Sequence, residues 1–322
     1  MRPSAVAALL ERVARQSGRR VGAVLVYHRI ADRPRGHAFL DARVPARVFE
    51  RQLAFLAERY HVVATADLLD AVAARRRRRR FPVAITFDDD LESHVGVAGR
   101  ALSTARLPGT FFLTGRTLQE PSPFWWDDLQ QALRAGALRP DALPELRPTL
   151  VQAAAAGGVR EAADLARAVE LLEPSERARV ADSLRNAAGE PDDRGLSAAA
   201  VRELARSGFA IGFHTLRHHR LVELPDDELE RALSEGREPL EEAAGSCLRE
   251  IAYPHGDADA RVAAATQRAG YLHGFTGAAQ VVTPETDPLL IARFQAAPSL
   301  EGMSMQLARA MAFGLIPRQS PQ

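Results

Sequence analysis

Apolar residues in this chain fall into short unbroken runs of strand length, separated by longer segments of helical periodicity, a rhythm that predicts βα units and a mainly parallel sheet. The first run, Val21–Tyr27, follows a helical stretch from about Ser4 to Gln16. Pro45 to Arg59 carries Phe49, Leu53, Leu56 and Ala57 near helical spacing, and Val62–Thr65 predicts a second strand. Pro82–Phe87, Thr110–Thr114, Phe209–Phe213, Ile251–Tyr253, His273–Thr276 and Leu289–Ala292 continue the series. The economical fold is α/β, a distorted (β/α) barrel of about seven strands. Between about 116 and 207 the sequence turns to Ala, Leu, Glu and Arg without convincing strands, which predicts a helical insertion in a single domain spanning 1–322.

Composition narrows the field only slightly. A chain of 322 residues, 46% hydrophobic, is long enough for one large core or two small ones. Its 42 basic and 41 acidic residues nearly cancel, so no global field favours nucleic acid. Cys247 is the only cysteine and excludes an internal disulfide framework. The apolar stretch Ala5–Leu10 is shorter than a secretory core, and no run reaches the roughly 18 apolar residues of a membrane span. A cytoplasmic location is expected, with peripheral membrane association and non-classical export left open. Six consecutive arginines, Arg75 to Arg80, read as a solvated helix end, while contact with an anionic carrier or phospholipid-linked substrate also stays open.

Three strand ends carry chemistry. Asp88, Asp89 and Asp90 follow one run, His214 and His218 another, and Tyr253-Pro254-His255-Gly256 a third. A catalytic zinc-like cation takes about three imidazole or carboxylate ligands and keeps one position for water. Histidines four apart share a face if the chain turns helically there, Asp89 could add an anionic ligand, and Asp88 would then stand near the water as a general base. A histidine pair or an aspartate run by itself is more often ordinary surface, core or turn; their joint placement at strand ends points to a site.

These residues resemble a known family. Thr86-Phe87-Asp88-Asp89, the His214 to His218 segment running on to Arg220-Leu221, and Ala252-Tyr253-Pro254-His255-Gly256-Asp257 are similar to the motifs of polysaccharide deacetylases, the NodB-like carbohydrate esterases. Tyr27-His28-Arg29-Ile30 resembles a branch with such an N-terminal strand. The resemblance implies a catalytic barrel using a divalent metal, most often Zn2+, to hydrolyse an N-acetyl group on an amino sugar of a glycan, oligosaccharide or glycolipid precursor. It makes Asp88 the base, His28 the acid, Asp89, His214 and His218 the metal ligands, and the backbone N–H of His255 an oxyanion donor. Tyr253, Pro254, Trp126 and Arg293 are candidates to meet the substrate.

Departures from the family pattern set specific questions. Asp90 stands where glycine is usual, and is either a fourth ligand, a helix cap or a clash. His219 replaces a frequent proline and His255 a frequent tyrosine. Ala252 replaces an arginine that orients the base, and Arg293 is a possible substitute. Rival readings are a barrel that binds carbohydrate without catalysis, and a deacylase or deformylase acting on another C–N bond. Trp125 is expected in the core, His94 and His273 are read as structural, and Cys247 as a small apolar filler.

Overall fold

Strand parity organises the molecule, because alternate residues of a strand face opposite sides of a sheet. The computed structural model describes residues 5–31, 43–119, 124–189 and 195–314. Its strands are β1 (Ala23–Tyr27), β2 (Arg29–Ile30), β3 (Arg43–Val44), β4 (His61–Val62), β5 (Pro82–Asp88), β6 (Thr110–Leu113), β7 (Ala210–Phe213), β8 (Glu250–Ala252), β9 (His273–Thr276), β10 (Ile291–Ala292) and β11 (Phe294–Gln295). The helices are α1 (Ala5–Arg15), α2 (Ala46–Arg59), α3 (Leu68–Ala74), α4 (Arg100–Ala105), α5 (Trp125–Ala135), α6 (Pro148–Ala155) and α7 (Val159–Glu170), followed by α8 (Pro174–Ala188), α9 (Ala198–Arg206), α10 (Asp226–Ala232), α11 (Arg237–Ala244), α12 (Ala260–Arg268) and α13 (Leu300–Phe313).

All pairings in the main sheet are parallel, in the order β10-β9-β8-β7-β6-β5-β1-β11, with β4 added beside the start of β5. The two ends of that order are one continuous segment: β10 pairs with β9, β11 pairs with β1, and Arg293 lies between them. Residues 291–295 therefore close the barrel. The expected closed or nearly closed (β/α) barrel of about seven strands is present, β10 and β11 being the two parts of its closing segment. The second part, Phe294–Gln295, is too short to show as an apolar run.

One set of strand residues, Leu25, Tyr27, Ile85, Phe87, Phe111, Leu113, Ile211, Phe213, Ile251 and Tyr253, packs with helix residues such as Phe49, Leu204 and Leu240. The alternate set, Val24, Ala84, Phe112, Ala252, Phe275 and Ile291, forms a separate cluster that fills the interior, joined by Leu68 and Val72 of α3. Tyr27, Phe87 and Phe111 stack in sequence across three neighbouring strands, with centroids 5.6 and 4.6 Å apart, and Phe49 of α2 meets Tyr27 edge-on at 5.1 Å. Such pairs contribute roughly 0.5–1.5 kcal/mol each beyond area burial. They hold the C-terminal ends of β1 and β5, where His28 and Asp88 sit, in register.

The described chain divides into two compact units, one holding the barrel and α9 and the other centred on α5 to α8. The helical segment expected at about 116–207 is therefore shorter, since residues 196–207 belong with the barrel. Taken by itself, the second unit packs Trp125, Leu129, Leu165, Val180 and Leu184 into a core of its own. Within it the fully buried Asp128 accepts two hydrogen bonds from Arg185, at 3.2 and 2.8 Å.

Candidate active site

Barrel enzymes collect reactive groups where the strands end. On β5 the interior parity runs Ala84, Thr86, Asp88, so the last strand residue delivers a carboxylate into the barrel mouth. The same alternation turns His28 inward after Val24 and Val26, and His214 inward after Gly212. Asp88 is 4% exposed. Arg293 clamps it from the closing segment: Nη1 donates to Oδ1 at 2.6 Å and Nη2 donates to Oδ2 at 2.7 Å. This is the forked geometry in which guanidinium matches carboxylate best.

Burial alone would raise the carboxyl pKa of Asp88, but the charge and hydrogen bonds of Arg293, with smaller contributions from His214 and His28, hold it down at about 2. The group is ionised at neutral pH. His28 is thus close enough to act on the charge of both Asp88 and His214.

Asp89, His214 and His218 offer ligand atoms that all lie within 4.8 Å of one another. His214 Nε2 is 3.7 Å and His218 Nε2 3.8 Å from Asp89 Oδ1. A zinc ion with bonds of about 2.0–2.1 Å sets tetrahedral ligand atoms about 3.3 Å apart, so closing on a shared ion asks only small side-chain shifts. Two further observations fit a metal. His214 Nδ1 donates to the carbonyl of Ala252 at 2.8 Å, which leaves Nε2 with its lone pair facing Asp89. Burial also lowers the His214 pKa to about 4, outweighing the opposing effects of Asp88 and the Ala252 carbonyl, so above that pH the imidazole is neutral, the form a metal would require.

The backbone here is unusual. Six non-glycine residues among those described adopt positive φ, and four of them are Asp89 (74°), Thr215 (54°), His218 (54°) and His255 (61°). Left-handed backbone costs of order 1–3 kcal/mol per residue, most for a β-branched side chain such as threonine, and persists where the surrounding fold imposes it. The loop 214–218 is thus not a simple helical turn. The two histidine rings nevertheless meet, centroids 4.9 Å apart, because two left-handed residues fold the loop back on itself.

The remaining expected residues divide. Asp90 is 2% exposed and turns away from the histidines: Oδ1 accepts from the Thr114 backbone N–H at 2.7 Å and Oδ2 bonds the Thr114 hydroxyl at 2.5 Å. It caps no helix and instead ties down the loop after β6. His255 is exposed and stacks edge-on against His218 at 4.7 Å, its ring N–H donating to the His218 carbonyl at 3.4 Å. Gly256 behind it adopts φ 76°, and a Cβ there would lie 2.4 Å from the Gly277 nitrogen, so this turn admits only glycine.

Tyr253 does not reach the mouth of the site. Parity sends it outward from Ala252 into the helix-facing core, where it is 0% exposed and its hydroxyl donates to Leu289 O at 2.8 Å. Pro254 is buried beside it. Arg293, expected to meet substrate or to replace the missing base-orienting arginine, has its guanidinium on Asp88 and is 2% exposed. Trp126 belongs to the second unit, stacked on Phe124 at 4.3 Å with an 8° interplanar angle; Trp125 beside it is buried as expected. His94 is fully buried between Phe87 and Phe111, and His273 pairs with Glu250 at 3.2 Å. Cys247 is exposed, not an apolar filler, because it lies in the turn between α11 and β8. Sequence reading missed Thr114, whose only signal is its place at a strand end.

A family model described as polysaccharide deacetylase matches residues 180–273, a span that holds His214, His218 and His255 but ends outside Asp88 and Asp89. No curated protein matches the chain by sequence. Solved structures similar in fold include IcaB from Ammonifex degensii, 18% identical with a TM-score of 0.58, covering 92% of this chain and 98% of that one. The Streptococcus pyogenes deacetylase PplD in complex with acetate is 16% identical with a TM-score of 0.56, covering 88% and 96%. A polysaccharide deacetylase from Bacillus cereus is 19% identical with a TM-score of 0.55, covering 90% and 69%. Motif, family model and fold agree, and the resemblance this chain bears is to the polysaccharide deacetylases.

Proposed function

We propose that this chain is a metal-dependent hydrolase that removes the N-acetyl group from an amino sugar of a glycan, oligosaccharide or glycolipid precursor. One constellation carries the reading: a buried ionised Asp88 clamped by Arg293, one residue from an Asp89–His214–His218 cluster able to share a cation. That cation, with Zn2+ suiting the imidazole and carboxylate donors, would supply Lewis acidity toward the acetyl carbonyl and toward water.

Asp88 accepts the proton of the attacking water as its oxygen bonds the acetyl carbon. A carboxylate held near pKa 2 is a weak base, so its contribution is position and charge at neutral pH more than proton affinity. The backbone N–H of His255 donates to the oxyanion that forms. His28 then protonates the amine nitrogen as the C–N bond breaks, because an amide nitrogen leaves poorly until protonated. Acetate and a free amino sugar result. The PplD structure, similar in fold, is a complex with acetate.

The test compares amine release from N-acetylglucosamine oligomers by the native chain and by Asp88→Asn. The variant is expected to lose at least ~10²-fold in kcat while keeping its metal. Undiminished turnover removes Asp88 from the base role. A native chain that holds no metal yet binds glycan supports the non-catalytic barrel instead, and one that cleaves only other acylated amines supports a different leaving group.

A further inference from the structure

Helix α1 faces the wrong way for a water-soluble surface. Its buried residues are Ala7, Glu11 and Ala14, while Val6, Leu9 and Val13, spaced three and four apart on the opposite side, are 58%, 63% and 62% exposed. Its outer stripe is apolar and its inner face is small or charged. Glu11, the one acidic residue of α1, is 2% exposed and lies 3.6 Å from Arg15 and 4.0 Å from Arg59. Phe313, 57% exposed, lies at the end of α13, which packs along α1; the Arg19 side chain donates to the neighbouring Ala312 carbonyl at 2.6 Å.

The arginine run is built onto the end of the same helix. Arg75 is buried against Phe81 and donates to Arg19 O and Ser17 O, at 2.5 and 3.3 Å. The Arg78 backbone N–H donates to Arg15 O at 2.7 Å, and the Arg77 side chain to Gln16 O at 2.8 Å. Arg76 to Arg80 are all exposed, as are Arg12, Arg19 and Arg20. An exposed apolar stripe thus leads to a helix end built against a run of exposed arginines, with α1's own carboxylate turned inward.

We propose that this face docks on the surface of an anionic phospholipid bilayer, with Val6, Leu9 and Val13 entering the boundary between headgroups and acyl chains and the arginines lying against the phosphates. Charge complementarity selects this occupant over a second copy of the chain, since pairing two such faces would oppose arginine to arginine. No helix among the described residues is long and apolar enough to cross a membrane, so the contact is with the surface. The inference is independent of the hydrolytic reading.

Co-sedimentation of the full chain with vesicles tests it directly. The protein is expected to pellet with vesicles of phosphatidylcholine mixed with phosphatidylglycerol at about 0.15 M salt, to stay in solution with phosphatidylcholine alone, and to be largely released at about 1 M salt. These arms need no variant. Arg76→Gln with Arg79→Gln should lower the partition coefficient roughly 20-fold or more, at about fivefold per arginine. Leu9→Gln with Val13→Gln should lower it roughly tenfold or more, with thermal unfolding unchanged because both side chains are outside the core. Equal binding to neutral vesicles, or no binding to anionic ones, overturns the proposal. So does a dimer in solution that depends on Leu9 and Val13 while vesicles are ignored.

Discussion

Replacing Arg293 by methionine removes the counter-charge of Asp88 while filling most of its volume. In the native fold the Asp88 carboxyl stands at about 2 against an ordinary 3.8, so the ionised form is favoured by roughly 2 kcal/mol even after its burial is counted. Without the fork the desolvation cost is no longer offset, and breaking a buried pair from one side costs about 3–5 kcal/mol. Urea unfolding at neutral pH measures the difference, and Asp88→Asn combined with Arg293→Met should recover at least half of it, because the stranded charge is gone.

The sign with pH is fixed by the direction of the shift. A depressed carboxyl contributes stability above the unfolded pKa and loses it as pH falls through the folded one, so the native chain sheds this contribution between about pH 4 and pH 2. The deficit of the variant therefore narrows on acidification. A loss under about 1 kcal/mol at neutral pH, or one that stays constant down to pH 3, would refute a buried ion pair as the element that holds Asp88 ionised.

Asp90→Ala is expected to lower stability by about 1–3 kcal/mol by leaving the Thr114 backbone N–H and hydroxyl without their acceptor, with metal content unchanged; a loss of metal by mass spectrometry would return Asp90 to the ligand set. His218→Ala should leave a metal-depleted protein, read by metal analysis after dialysis, and deacetylation should fall with it. Gly256→Ala must move the backbone of Gly277 or forgo its left-handed turn, so turnover should drop by ~10²-fold with KM changed less, a split that steady-state kinetics on a soluble oligomer resolves.

Much of this site is legible in the chain because strand parity is. Ala84, Thr86 and Asp88 alternate with Ile85 and Phe87, so an aspartate two positions beyond an interior threonine is aimed at the barrel axis, and the same alternation along β8 sends Tyr253 outward with Ile251, and Ala252 inward. Arg293 was visible as a charge after the apolar Leu290-Ile291-Ala292, but its partner was not, since pairing across 205 residues depends on where the barrel closes. The left-handed turns at Thr215, His218 and His255 leave no composition signal: nothing in Thr, His and His announces a conformation their side chains disfavour. The outward stripe of α1 is readable as periodicity, yet which side of a helix faces the body is a tertiary fact.

The closing segment gives the molecule an order of events during synthesis. During synthesis Asp88 precedes its guanidinium partner by about two hundred codons. Only when residues 291–295 slot between the first strand and β9 does the guanidinium arrive, the ring seal and the carboxylate take its final charge state in one step. The clamp is in this way a certificate of completion: a nascent or truncated chain that stops short of Arg293 can hold Asp88, Asp89, His214 and His218 and still lack the guanidinium that neutralises the first of them.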